Sequence, residues 1–199
     1  MTTLIRSIEF LREADRLKSV VRRSRLSFDP DRRENDAEHS WHLALMAIVL
    51  ASHARDPAVD LLAVLRMVIV HDLVEIDAGD TFLYDAAGSA TQADREEAAA
   101  TRVFGLLGDP LAGELRAAWR EFEGRATPEA RFARAVDRAQ PILQNLLTEG
   151  RSWREHGVTA RQVRALNAQI VIEGAPAVWE HLDARLDEAV RRGWLAAGD

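Results

Sequence analysis

The residues best equipped for chemistry are grouped around one run, "RMVIVHDLVEIDAGD", from Arg66 to Asp80. His71 and Asp72 follow an apolar stretch predicted to be buried, and burying an ionisable group without a partner costs on the order of several kcal/mol. Partners must therefore exist, and a divalent cation is one. Glu75 follows His71 by four positions and Asp72 by three, which on a helix puts all three on a shared flank. His39, in "AEHS", precedes Leu43, Met46 and Leu50 at spacings of four, three and four, so it lies on or beside a core face of the preceding helix. Antiparallel packing of the two helices would bring His39 close to His71. Two imidazoles and one carboxylate leave a divalent ion short of ligands. The strongest further acid is Asp137 in "ARFARAVDRAQPILQN", next to an inward stripe of Phe132, Val136, Ala139 and Leu143. An Asp within a helix is ordinarily solvated, so periodicity alone leaves its role open. Pro141 removes a donor to the carbonyl of Asp137, which predicts a local irregularity at that turn.

Helices must position these groups, because apolar residues recur at three and four positions while β-branched alternation is nearly absent. The expected fold class is all-α, a helical bundle of about seven to eight helices. A first helix is predicted over 3–20 with Leu4, Ile8, Leu11 and Leu17 inward. A loop follows in "RRSRLSFDPDRREN", marked by its Asp-Pro-Asp turn. The second helix begins at Asn35 or Asp36, both good N-cap types, and ends at Asp56-Pro57. The third spans 59–76. The stretch "DAGDTFLYDAAGSATQ" is a loop, and long loops beside acids tend to be functional. Helices at 91–107, 111–123, 127–149, 159–172 and 176–193 complete the chain, with Thr127-Pro128-Glu129 announcing one of them. A single domain over 1–199 is expected, with motifs between 14 and 145 and the C-terminal helices of 150–199 packed on that core.

Composition narrows the function. The 199 residues, 47% of them hydrophobic, suit one compact core. A formal net charge of −6 argues against a polynucleotide partner, so any phosphate must be attracted locally. The sequence contains no Cys, which excludes disulfides, thiolate ligands and Cys nucleophiles. Arg6 and Glu9 interrupt the N-terminal apolar run, and no apolar run approaches a membrane span. A soluble cytoplasmic protein without membrane contact is the expectation.

The ordered pattern E-H-S, H-D-x-x-E-x-x-x-G-D and a later A-x-D resembles the HD superfamily of metal-dependent phosphohydrolases. The stretch from Ala14 to Asn145 is similar to its 5′-deoxynucleotidase branch. The resemblance implies a helical fold and hydrolysis of nucleoside 5′-monophosphates by water activated at a divalent ion. On matching positions it makes His39, His71, Asp72 and Asp137 metal ligands. Glu75 corresponds to the residue that orients or deprotonates water, and Asp80 to an acid at the sugar and the active-site water network. Arg22 of "RLKSVVR" matches a phosphate-contacting arginine. The family's aromatic residue just behind that arginine is replaced here by "RSRLSF", so base and sugar preference do not transfer. Mixed imidazole and carboxylate ligands without sulfur suit Mn, Co, Fe, Ni or Zn. The resemblance also implies a homodimer acting on a small nucleotide. A cyclic-nucleotide phosphodiesterase, a nucleoside triphosphohydrolase and a non-catalytic metal- or nucleotide-binding regulator remain as alternatives.

Other polar residues receive no catalytic role. His42 makes an H-x-x-H with His39 but is read as a supporting or surface residue. Trp119, Trp153, Trp179 and Trp194 read as packing anchors. Asp77 and "SWREHGVT" around His156 have no assigned job.

Overall fold

A computed structural model describes residues 2–85 and 90–198. Helix α1 (Thr3–Ala14) leads through a 3₁₀ turn at Asp15–Ser19 into a short antiparallel hairpin, β1 (Val21–Arg25) and β2 (Arg33–Asn35). Then come α2 (Asp36–Leu50), α3 (Leu61–Val70), a 3₁₀ turn (His71–Val74) and α4 (Glu75–Ala78). They are followed by α5 (Gln92–Gly105), α6 (Leu111–Gly124), α7 (Pro128–Leu147), α8 (Arg151–His156), α9 (Ala160–Gly174) and α10 (Pro176–Arg191). The fold is a helical bundle, as the periodicity requires, with the hairpin as its one small sheet among the described residues.

Helix α7 is the axis of the bundle: it packs against α2, α3, α6, α9, α10 and β1. Thr127 caps it by accepting from the Ala130 amide at 3.1 Å, and Pro128 occupies its first turn. Small residues on its buried faces, Ala130, Ala133, Ala135 and Ala139, admit several neighbours closely. Gly174 shows how closely, since a Cβ there would sit 2.2 Å from the Arg131 carbonyl oxygen. The irregularity expected at Pro141 is not seen. The helix runs on to Leu147, and the Asn145 side-chain amide donates to the Pro141 carbonyl at 2.9 Å.

Three further expectations are corrected. The basic segment after α1 is a hairpin, not a loop; it pairs Val21 with Asn35 and Arg25 with Arg33 in an irregular register. The helix expected over 59–76 is broken into α3, the 3₁₀ turn and α4, so the His71-Asp72 pair sits at a tightened turn. The inward stripe of α1 is wrong on three counts, because Leu4, Ile8 and Leu11 are 71%, 58% and 62% exposed while Phe10 and Leu17 are buried. Arg102 of α5 donates to Glu13 at 2.7 Å, one turn along α1 from the buried Phe10. Helix α8 was not anticipated. It docks on the hairpin through Arg25 and Glu155 at 3.0 Å and through the Ser152 hydroxyl, which donates to the Arg23 carbonyl.

Candidate metal centre

The start of α2 is fixed by a capping box in which Asn35 accepts from the Glu38 amide and Glu38 accepts from the Asn35 amide. His39 then lies in the first turn of α2, fully buried, with its Nε2 3.2 Å from Asp137 Oδ1 of α7 and 4.0 Å from Asp72 Oδ2. His71 Nδ1 is 3.0 Å from the Val68 carbonyl, an acceptor, which assigns the proton to that nitrogen and turns Nε2 toward the carboxylates. His71 Nε2 lies 2.9 Å from Asp72 Oδ1 and 3.8 Å from Asp137 Oδ1, yet it is buried and not aligned for a hydrogen bond. Two imidazole nitrogens and two carboxylates thus converge from α2, the 3₁₀ turn and α7. Orphaned buried nitrogen, no sulfur and a mixed N/O set fit a divalent ion of the Mn to Zn series.

Electrostatics shows how much the cluster wants a cation. Burial and Arg22 oppose a charged His39, but its hydrogen bond to Asp137 and the neighbouring Glu34 and Asp72 carboxylates lift its pKa to about 9. Burial resists ionisation of Asp72 too, and the His71 and Arg22 charges overcome it, lowering its pKa to about 2. Asp137 is held well below the usual carboxylate range against its burial by His39, Arg134 and His71.

A second acidic group adjoins the first. Asp36, Asp72 and Glu75 also bring carboxylate oxygens within 4.8 Å of one another. Burial, Asp72 and Asp36 push the Glu75 carboxyl well up, and burial and Asp72 raise Asp36 to about 6. Asp36 Oδ2 and Glu75 Oε2 are buried without a hydrogen-bond partner. Arg22 bridges the group from β1, its NH1 3.1 Å from both Asp36 Oδ1 and Asp72 Oδ2. Asp80 lines the same cavity, with its carboxyl raised by burial. Gly79 lets the chain reach it: at φ 75° it ends α4 while its amide donates to the Glu75 carbonyl at 2.8 Å.

The cavity beside these residues has a volume of about 190 Å³. Six of the seven residues singled out in the sequence line it, namely Arg22, His71, Asp72, Glu75, Asp80 and Asp137, and the fully buried His39 stands behind Asp137 at 3.2 Å. Asp77 lies outside, paired with Arg102 at 2.7 Å. His42 is half-buried with its Nδ1 3.3 Å from the Gln140 amide, a supporting position. Trp119, Trp153 and Trp179 are buried, and Trp153 also lines the cavity. His156 packs against Phe82 of the cavity wall at 4.8 Å between ring centroids, which gives that region a place beside the site.

Several site residues escaped the sequence reading. Asp36 was taken only as an N-cap type, although its place three residues before His39 puts it on the same face. Glu34, just 1% exposed, accepts from Ser24 Oγ at 2.9 Å and from Gln140 and Gln144 at 2.7 Å each, and faces His39 Nδ1 at 3.7 Å. Arg134 and Arg138 flank Asp137 on α7 and line the cavity, Arg134 over the Phe122 ring at 4.7 Å. Nothing in the local sequence separates these three from surface charges.

The HD domain model matches residues 14–179. The chain belongs to the HD domain family. This HD domain is 31% identical over 137 residues to the human protein named 5′-deoxynucleotidase HDDC2, an alignment covering 69% of this chain and 65% of that protein. A relative named 5′-deoxynucleotidase hdd1 in Schizosaccharomyces pombe is 25% identical over 142 residues, covering 69% of each chain. The crystal structure of a predicted metal-dependent phosphohydrolase from Magnetospirillum magnetotacticum superposes with a TM-score of 0.92 at 48% identity, covering 98% of this chain and 96% of the other. No helix among the described residues is long and apolar enough to cross a membrane.

Proposed function

We propose that this HD domain is a metal-dependent phosphomonoesterase that hydrolyses nucleoside 5′-monophosphates to nucleoside and phosphate in a cytoplasmic setting. The observation that carries the reading is the convergence of His39, His71, Asp72 and Asp137 on one buried point beside a polar cavity. Those four residues would hold the ion, which when bound supplies Lewis acidity toward a phosphoryl oxygen and acidifies water. Glu75, whose carboxylate lies within 4.8 Å of those of Asp72 and Asp36, would take a proton from the attacking water and pass it toward the leaving oxygen. Arg22, fixed by Asp36 and Asp72, presents its remaining N–H groups to non-bridging oxygens. Asp80 stands on the loop side, where the sugar and its waters would lie. The names of the relatives support a nucleotide substrate, and Phe82, Tyr84 and Trp153 give the cavity an aromatic wall for the nucleoside.

The reading extends to a homodimer. The exposed stripe of Leu4, Ile8 and Leu11 on α1 is an apolar surface that a second copy would cover.

The test is phosphate release from a panel of nucleoside mono-, di-, tri- and cyclic phosphates with added Mn or Co. Free phosphate from 5′-monophosphates is expected. Pyrophosphate from triphosphates, turnover of cyclic nucleotides alone, or no turnover at all would each replace the proposal with one of the alternatives.

A further inference from the structure

We propose that Arg134 and Arg138 form an anion subsite for a phosphate group in the cavity wall next to Asp137. It deepens the phosphomonoesterase reading and rests on it for the identity of the substrate. The two arginines are four residues apart on α7, so they project from one face, and both line the cavity. Their side chains are 16% and 19% exposed, and the Nε of each is buried without a hydrogen-bond partner. Arg134 approaches carboxylates only at 3.5 Å, to Glu123, and 3.6 Å, to Asp137. Among the described residues the one carboxylate in ion-pair range of Arg138 is Asp137, at 3.9 Å from Nε. Both contacts fall on one oxygen, Asp137 Oδ2, because Oδ1 is turned to His39 at 3.2 Å, and neither reaches normal hydrogen-bond length.

The contrast with Arg22 is what points to a ligand. Arg22 is tied at 3.1 Å to each of two buried acids, so its charge is answered within the protein. A buried guanidinium with no hydrogen bond is costly, and its planar fork of N–H groups matches phosphate oxygens. Of the acids facing the pair from neighbouring helices, Glu96 accepts from Gln92 at 2.6 Å, and Glu123 offers Arg134 a contact of 3.5 Å, longer than the 3.1 Å contacts of Arg22. The phosphate could be the one that is cleaved or a second one on the same nucleotide, and the experiment separates these sources.

Inorganic phosphate is titrated calorimetrically into the full chain as purified, comparing wild type with Arg138→Gln, Arg138→Lys and, as a distant control, the exposed Arg161→Gln. Circular dichroism first establishes that each variant is folded. The subsite requires phosphate affinity to fall roughly tenfold or more in Arg138→Gln, less in Arg138→Lys, and not in Arg161→Gln. Affinity unchanged in Arg138→Gln, or no measurable binding to wild type, overturns the proposal. Raised KM for a 5′-monophosphate in Arg138→Gln assigns the subsite to the cleaved phosphate. Unchanged KM with weakened inhibition by a nucleoside 3′,5′-bisphosphate assigns it to a second one. If no monophosphate is turned over, the titration still reads the subsite; if turnover is normal and the titration is flat, only the subsite falls.

Discussion

Replacing Glu34 by Gln removes one buried charge while keeping the shape of the side chain. Glu34 accepts three hydrogen bonds, from Ser24, Gln140 and Gln144, and also faces His39 Nδ1 at 3.7 Å and Arg22 Nε at 3.9 Å. A Gln side chain presents an NH₂ group where the shell donates, so Ser24 Oγ or a glutamine amide must turn an oxygen toward it, and the charge facing His39 and Arg22 is lost. Breaking a buried ionic arrangement by altering one partner costs roughly 3–5 kcal/mol. At about 2–4 °C per kcal/mol for a chain of this size, the Tm should fall by about 6–20 °C. The sign with pH follows from the Glu34 carboxyl, which His39 and Arg22 lower below its ordinary value despite burial. Its stabilisation is present above the unfolded-state pKa and is lost as pH falls through the folded-state pKa, so the penalty of the substitution should shrink on acidification. Thermal unfolding of the ion-free full chain, followed by circular dichroism between acid and neutral pH, reads both quantities. A Tm within about 2 °C of wild type at pH 7, or a penalty that grows toward low pH, would refute the reasoning.

Three further outcomes are expected. Glu75→Gln should lower kcat for phosphate release by roughly 10²–10⁴ while metal content measured by atomic emission stays at the wild-type level; unimpaired turnover would remove Glu75 from its role. Because the His39 pKa stands at about 9, a cation must displace its proton, so apparent metal affinity in a chelator competition should rise about tenfold per pH unit between 6.5 and 9. A flat profile would contradict that assignment. Ile8→Asp combined with Leu11→Asp should convert a dimer to a monomer in light scattering without loss of helical signal, and an unchanged mass would place any dimer contact elsewhere.

The parts of this molecule that could be read from its sequence share one property: their chemistry stood out against an apolar background. His39, His71 and Asp72 each sit beside a buried stripe, whereas Asp137 reads on periodicity as an ordinary solvated acid and is singled out by the family resemblance; its Oδ1 lies 3.2 Å from His39 and 3.8 Å from His71. The clearest helix start of the second half was the cap at Thr127, whose side chain does accept from the Ala130 amide. The errors lie where period does not name a partner. The spacing of Leu4, Ile8 and Leu11 reports a one-sided helix, but not that the opposite side, with Phe10 and Glu13, is the one that meets α5. Strand β1, "VRRSR", has no alternation of apolar residues, because its inward groups are Arg22 and Ser24, satisfied by acids from elsewhere in the chain. Glu34 looked like a loop acid because the amides that bury it, Gln140 and Gln144, lie 106 and 110 residues away.

The contact between His39 and Asp137 spans 98 residues of chain. An ion joining the two would act as a clip across nearly half of the sequence, restricting the unfolded chain as a cross-link does. Such long-range closure is slow and comes late in folding, so α2 and α7 must dock before the centre exists. A nascent chain that has not yet extended past residue 137 can hold no complete centre, and metal uptake becomes a report that the bundle has closed.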